Sequence, residues 1–124
     1  MRIAVVTGAS SGMGREFAKA IDREYELDCI WVIARRQERL EELASECRTQ
    51  VRVLPLDLTD RNSFTVLQEL FETEKPAIEI LVNAAGVGLF GEFTEMDLDG
   101  QLEIIELNDK ALTAMCHICL PYMK

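Results

Sequence analysis

Short apolar runs alternate along the chain with longer segments whose apolar residues recur at helical spacing. The apolar runs predict four strands, at Ile3–Thr7, Cys29–Ala34, Val51–Leu56 and Ile78–Val82. The periodic segments predict four helices, over Gly12–Tyr25, Arg36–Arg48, a third that Asp60 caps and Pro76 ends, and a long one over Leu98–Met123. Strands that are apolar throughout and separated by helices indicate a parallel sheet covered on both faces.

The connections between these strands restrict the topology. Right-handed crossovers predict the spatial order 3-2-1-4, which is the first half of a Rossmann-like doubly wound α/β sheet. Each helix carries apolar side chains close to one face, and these are the expected packing positions: Met13, Phe17, Ala20 and Ile21; Leu40, Leu43 and Ala44; Phe64, Leu67, Leu70 and Phe71; Leu102, Ile105, Leu112, Met115 and Leu120. The length of 124 residues fits one domain.

The composition argues against several classes of protein. Apolar residues make up 48 % of the chain, which is enough for a packed core. The 22 acidic and 13 basic residues give a formal charge of −9, which disfavours a nucleic-acid partner. No signal peptide or membrane-spanning run is visible, so we expect no membrane partner. In such a context the four cysteines, Cys29, Cys47, Cys116 and Cys119, are interpreted as reduced thiols of a cytoplasmic protein.

The segment T-G-A-S-S-G-M-G follows the first strand directly and leads into the first helix. Gly8 allows a sharp turn, Gly12 allows close approach of a pyrophosphate, and Gly14 allows the helix to pack tightly on the strand. The unpaired N–H groups at the start of a helix attract an anion, and the hydroxyls of Ser10 and Ser11 add donors. A glycine-rich turn without a ligand is the alternative, but the position between strand and helix favours a phosphate cradle.

Several motifs together resemble the short-chain dehydrogenase/reductase family. The first is the T-G-x-x-x-G-x-G spacing, and the second is Asn83-Ala84-Ala85-Gly86 after the fourth strand, which is similar to the N-A-A-G signature. Asp57-Leu58 resembles the acidic position whose carboxylate meets the adenine amino group. The resemblance spans all 124 residues and implies an oxidoreductase that transfers hydride between nicotinamide and a carbonyl or alcohol substrate.

The resemblance also implies roles for individual residues. Asn83 would stabilise the central sheet, and Asn108 would have a structural role and hold a water in a proton relay. The chain departs from the family pattern at Asp109, where an apolar residue is usual, and this weakens the relay assignment. The residues implied in cofactor binding are Gly8, Ser10, Ser11, Gly12, Met13, Gly14, Arg35, Arg36, Asp57, Leu58, Asn83, Ala84, Ala85 and Gly86.

The end of the second strand predicts which nicotinamide cofactor is bound. A site that prefers NAD places a carboxylate there for the ribose 2′-hydroxyl, whereas this strand runs into Arg35 and Arg36. Asp28 lies at the opposite end of the strand, and Glu38 lies inside the next helix. A guanidinium pairs with a 2′-phosphate, so Arg35 predicts NADP(H). Arg36 either supports it or is a solvated helix start.

The serine and the Tyr-x-x-x-Lys set that the family uses for catalysis have no counterparts in this chain. Tyr122 and Lys124 have the wrong spacing for that set. We therefore expect an amino-terminal part of a longer enzyme that is inactive alone. The alternative is a naturally short, non-catalytic nucleotide-binding or regulatory module.

Two further expectations concern the carboxyl-terminal part of the chain. Cys116-His117-Ile118-Cys119 lacks the second ligand pair of a zinc site, so we predict buried structural cysteines and no metal. The fourth strand would become a sheet edge, and the long helix would expose an apolar stripe, which together predict a homo-oligomer.

Overall fold

The computed structural model describes residues 1–10, 12–84 and 98–123. The strands are β1 (Arg2–Thr7), β2 (Cys29–Ala34), β3 (Val51–Pro55) and β4 (Ala77–Asn83). The helices are α1 (Gly12–Glu24), α2 (Gln37–Glu46), α3 (Arg61–Glu74) and α4 (Leu98–Cys119), and a 3-10 turn at Leu120–Tyr122 follows α4. The Asp60 carboxylate accepts a hydrogen bond from Asn62 N at 3.0 Å and caps α3, as predicted.

The four strands form one sheet in the order β3-β2-β1-β4, and every pairing is parallel. The predicted strand order and fold class are therefore confirmed. Because the strands are parallel, their carboxyl ends meet at one edge of the sheet. Thr7 pairs there with Ile33 of β2 and with Asn83 of β4.

Alternate residues of the strands pack on opposite faces of the sheet, as the period of two requires. On β1, Ile3 and Val5 belong to the core that α3 and α4 cover, and Ala4 and Val6 belong to the core that α1 and α2 cover. Trp31 of β2 is fully buried in the first core, where its ring stacks on Phe71 with centroids 5.3 Å apart. The sheet is thus the middle of three layers.

The face of α1 that meets the sheet differs from the predicted one. Met13 and Phe17 were expected near the packing face, but they are 70 % and 48 % exposed. Ile21 is buried as predicted, and the rest of the apolar contact is formed by Gly14 and Ala18, which precede it at helical spacing. The tight contact at Gly14 sets the rotation of α1, and this rotation turns the larger side chains outward.

The carboxyl-terminal segment also differs from the prediction of one helix to Met123. The α-helix ends at Cys119 because Pro121 cannot continue its hydrogen-bond pattern, and a 3-10 turn follows. Met115 of α4 is fully buried, as its predicted packing position requires. Leu102, Leu112 and Leu120, which were predicted to pack with it, are exposed instead. Within the described residues, the outer edge of β4 is met only by an isolated parallel bridge between Ile78 and Met123.

Candidate functional site

The loop after β1 is fixed to the sheet at its base. Gly8 has φ +66°, a left-handed conformation that favours glycine. Its N–H donates to Ile33 O at 2.9 Å, and the N–H of Ala9 donates to the same oxygen at 3.4 Å. Ala9 is fully buried. The chain therefore turns from β1 toward the end of β2 and holds that turn by backbone hydrogen bonds.

The two following glycines have different roles. A Cβ on Gly14 would lie 2.1 Å from Gly8 O and 3.1 Å from Thr7 O, so only glycine allows this approach of α1 to β1. Gly12 has φ +60°, and a Cβ there would meet nothing within 4 Å. None of the residues that the structure describes thus fills the space beside Gly12 at the start of α1.

The amino end of α1 fits an anionic group. Gly12 and Met13 are exposed, and the first turn of α1 carries no acidic residue. The first N–H groups of a helix have no partners within it and carry the positive end of its dipole. Ser10 is half-buried beside this turn, whereas Ser11 lies outside the described residues. The residues present therefore suit a phosphate or pyrophosphate.

Thr7 links this loop to the end of β4. Its Oγ1 donates to Val82 O at 3.3 Å and accepts from Ala84 N at 3.1 Å. The side chain is almost fully buried, at 1 % exposure. The sequence interpretation assigned Thr7 no role of its own, although a hydroxyl at the end of an otherwise apolar strand could have indicated one.

Asn83 lies at the end of β4, beside α4. Its Nδ2 donates to Cys116 Sγ at 3.7 Å, and Ala84 next to it is half-buried. Cys116 is also half-buried, so the prediction that it is buried is wrong; it contacts the polar end of β4. Cys119 is buried as predicted, and burial raises the pKa of its thiol to about 12. Ala85 and Gly86 lie outside the described residues.

The charged residues of the site follow β2 and β3. Arg35 and Arg36 are exposed directly after β2, and Arg36 occupies the cap position of α2. Asp28 lies at the other end of β2, where its carboxylate accepts from Arg2 N at 2.7 Å. The chain directly after β2 therefore carries two arginines and no acidic residue at that point.

Asp57 follows β3 and is held by a nearby threonine. Its Oδ1 accepts from the N–H of Thr59 at 2.9 Å and from the hydroxyl of Thr59 at 2.6 Å. These hydrogen bonds, together with the charge of Arg35, hold the pKa of Asp57 below its ordinary value of 3.8, although partial burial opposes them. Leu58 between them is buried. Thr59 was missed from sequence, although a threonine two residues after an aspartate is a recognised turn signal.

The remaining candidates are less informative. The backbone of Asn108 belongs to α4, but its side chain lies outside the described part of the chain. Tyr122 is half-buried and packs on Phe71 with ring centroids 5.3 Å apart, which is a core contact. Among the described residues, no group of three or more histidine, cysteine, aspartate or glutamate side chains is arranged to hold a metal ion.

Three comparisons with known proteins agree on the family. The short chain dehydrogenase family model matches residues 2–124. An uncharacterized oxidoreductase of Staphylococcus epidermidis is 30 % identical over 122 residues, which are 98 % of this chain and 52 % of the relative. The chain belongs to the short-chain dehydrogenase family, and it spans about half the length of the curated relatives it matches.

Solved structures of two enzymes are similar to this chain over nearly its whole length. A short-chain dehydrogenase from Sphingobium yanoikuyae, solved in complex with NADPH, is 28 % identical with a TM-score of 0.77, over 98 % of this chain and 48 % of that one. L-Sorbose reductase from Gluconobacter frateurii, complexed with NADPH and L-sorbose, is 26 % identical with a TM-score of 0.79, over 97 % and 46 % of the two chains. Within residues 1–10, 12–84 and 98–123, no helix has both the length and the apolarity to cross a membrane.

Proposed function

We propose that this chain is the dinucleotide-binding part of an NADP(H)-dependent oxidoreductase that interconverts a carbonyl compound and an alcohol. The observation that carries the choice of cofactor is Arg35, which stands exposed where β2 ends and close enough to Asp57 to lower its pKa. A guanidinium binds a 2′-phosphate in a charge-assisted pair, whereas a carboxylate in its place would repel one. The NADPH named in the Sphingobium and Gluconobacter structures supports the same choice.

Each part of the crevice would hold a different part of the cofactor. The start of α1, with Gly12 and Met13, would hold the pyrophosphate, and Ser10 and Ser11 would donate to it. Arg35 would hold the 2′-phosphate, with Arg36 in support. The adenine would lie against Asp57 and Leu58, while Asn83–Gly86 would line the crevice beyond Thr7. When bound, the nicotinamide would supply or accept the hydride.

The described residues contribute binding and orientation rather than proton transfer. Asn108, whose side chain lies outside the described part of the chain, would have a structural role and hold a water in a proton relay. The serine and Tyr-x-x-x-Lys set of the family has no counterpart in the 124 residues. We therefore expect residues 1–124 to bind the cofactor and to lack hydride-transfer activity alone. We also expect a cytoplasmic location and self-association through the outer edge of β4; a monomer at all concentrations in sedimentation would contradict the latter.

Titration of the chain with NADPH and with NADH tests the cofactor. We expect NADPH to bind about 10- to 100-fold more tightly, which is the range for hydrogen bonds to charged groups. Arg35→Ala should remove most of this preference without unfolding the chain. Arg23→Ala, an exposed arginine in the last turn of α1, is the matched control and should retain it. Tighter binding of NADH by the wild-type chain would contradict the proposal.

A further inference from the structure

Two groups of the proposed site carry opposite charges and lie close together. Arg35 follows β2 and Asp57 follows β3, and these neighbouring parallel strands pair with Ala34 opposite Pro55, so the two residues leave the same edge of the sheet. The charge of Arg35 also contributes to the lowered pKa of Asp57. The ion pairs among the described residues nevertheless do not include them; these pairs join Arg2 to Glu79, Arg15 and Lys19 to Glu46, and Arg52 to Glu74. Arginine and carboxylate readily form bidentate pairs, but here the Asp57 carboxylate is held by hydrogen bonds from Thr59 instead.

We propose that Thr59 is a positioning residue that keeps Asp57 and Arg35 apart, so that one dinucleotide is recognised at two points. This inference rests on the proposed function. Thr59 donates twice to the same oxygen of Asp57, from its N–H at 2.9 Å and its hydroxyl at 2.6 Å. Two donors on Oδ1 restrict rotation of the carboxylate and leave Oδ2 as the acceptor for the adenine amino group.

The position of Thr59 does not depend on its bonds to Asp57. Leu58 on one side is buried at 5 % exposure. On the other side, Asp60 N donates to Asp57 O at 3.0 Å, and the Asp60 carboxylate caps α3. The loop is therefore anchored at both ends, and loss of the Thr59 hydroxyl should leave the Thr59 N–H as the one donor of that pair to Oδ1. This should loosen the Asp57 side chain rather than the backbone.

A loosened Asp57 would be free to turn toward Arg35, whose charge already contributes to its lowered pKa. Pairing between them would occupy the acceptor for the adenine amino group and the donor for the 2′-phosphate at the same time. Removal of one hydroxyl should thus weaken recognition at two points. A threonine that only stabilised a turn would lower stability without changing the preference between dinucleotides.

The experiment measures dissociation constants for NADPH, NADH and the hypoxanthine analogue of NADPH, which lacks the 6-amino group. We expect the wild-type chain to prefer NADPH over the analogue by about tenfold or more, as for a lost hydrogen bond to a charged acceptor. Thr59→Val should reduce this preference to below about threefold and should also reduce the preference for NADPH over NADH. Thr59→Ser keeps the hydroxyl and should retain both preferences.

A second variant separates release of Asp57 from a general loss of structure. In the double variant Thr59→Val with Asp57→Ala, the Asp57 carboxylate is absent and cannot pair with Arg35. The preference for NADPH over NADH should therefore return, while the preference for NADPH over its hypoxanthine analogue stays lost. Thr65→Val, an exposed threonine on α3, is the control. If Thr59→Val does not fold, as judged by circular dichroism, Thr59→Ala takes its place.

The outcomes distinguish the inference from the function on which it rests. Unchanged preferences in Thr59→Val, with NADPH still bound, overturn the role of Thr59 and leave the proposed function standing. Failure of the combined variant to regain the NADPH preference also overturns it. A wild-type chain that binds no dinucleotide overturns the proposed function itself.

Discussion

The contact between α1 and the loop after β1 predicts that Gly14→Ala is costly. An alanine Cβ would lie 2.1 Å from Gly8 O, 2.6 Å from Gly8 C and 3.1 Å from Thr7 O. All three atoms belong to the backbone, so no side chain can rotate away. Reaching an ordinary contact of 3.4 Å requires α1 to move from β1 by about 1.3 Å, the difference between 3.4 and 2.1 Å. Overpacking of this kind costs about 1–3 kcal/mol, and we expect a value at the upper end.

Gly12→Ala is the matched comparison because the same methyl group is added two residues earlier. A Cβ at Gly12 meets no atom of the described residues within 4 Å, so the cost that the structure shows comes from its φ of +60°, at roughly 1–2 kcal/mol. Urea denaturation followed by circular dichroism measures the free energy of unfolding for both variants. We expect Gly14→Ala to be destabilised more than Gly12→Ala. The reverse order would refute the argument from backbone contact.

Two further predictions concern hydrogen bonds away from the glycines. Thr7→Val removes the hydroxyl that donates to Val82 O and accepts from Ala84 N. It should lower the free energy of unfolding by about 1–3 kcal/mol, whereas Thr7→Ser, which keeps the hydroxyl, should not. An unchanged urea midpoint in Thr7→Val would contradict a stabilising role for these two hydrogen bonds. Burial opposes ionisation of Asp22, but hydrogen bonds from Thr49 and Arg48 outweigh it, so its pKa lies below 3.8. The stability from its carboxylate should therefore be present above pH 3.8 and be lost as the pH falls through the lower folded pKa. Asp22→Asn should be less stable than wild type at pH 7, and this difference should shrink in acid; a gap that stays constant would contradict the assignment.

The order of the sheet could be predicted because it depends on features spread over many residues. Apolar runs mark β1 to β4, and the handedness of the crossovers leaves few arrangements. The rotation of α1 about its axis could not be predicted, because it depends on one contact between Gly14 and Gly8. The spacing of apolar residues along the helix does not indicate that contact. The pattern of apolar residues placed Met13 and Phe17 on the face of α1 that packs on the sheet. The packing face is instead set by Gly14, the small residue at which α1 comes closest to the loop after β1.

The candidate site was predicted unevenly for a similar reason. Residue types with a special backbone or charge, such as Gly12 and Arg35, can be recognised from their place in the pattern. Thr7, Thr59 and Cys116 act through hydrogen bonds whose partners are fixed only when strand ends and loops come together. A threonine or cysteine side chain has several possible hydrogen-bond partners in any fold, so its position in the sequence alone does not identify which one it will contact.

The burial of Trp31 gives this chain an internal optical reporter. It is the only tryptophan of the sequence, is fully shielded from solvent, and lies between Phe71 and the guanidinium of Arg52, 4.8 Å from its ring centroid. Its emission therefore responds to the layer formed by α3 and α4, whereas Gly14→Ala disturbs the opposite layer. If the emission and the circular dichroism of that variant change at the same urea concentration, the two layers unfold as one cooperative unit. If the emission persists after part of the helical signal is lost, the layer formed by α3 and α4 remains folded when α1 has unfolded.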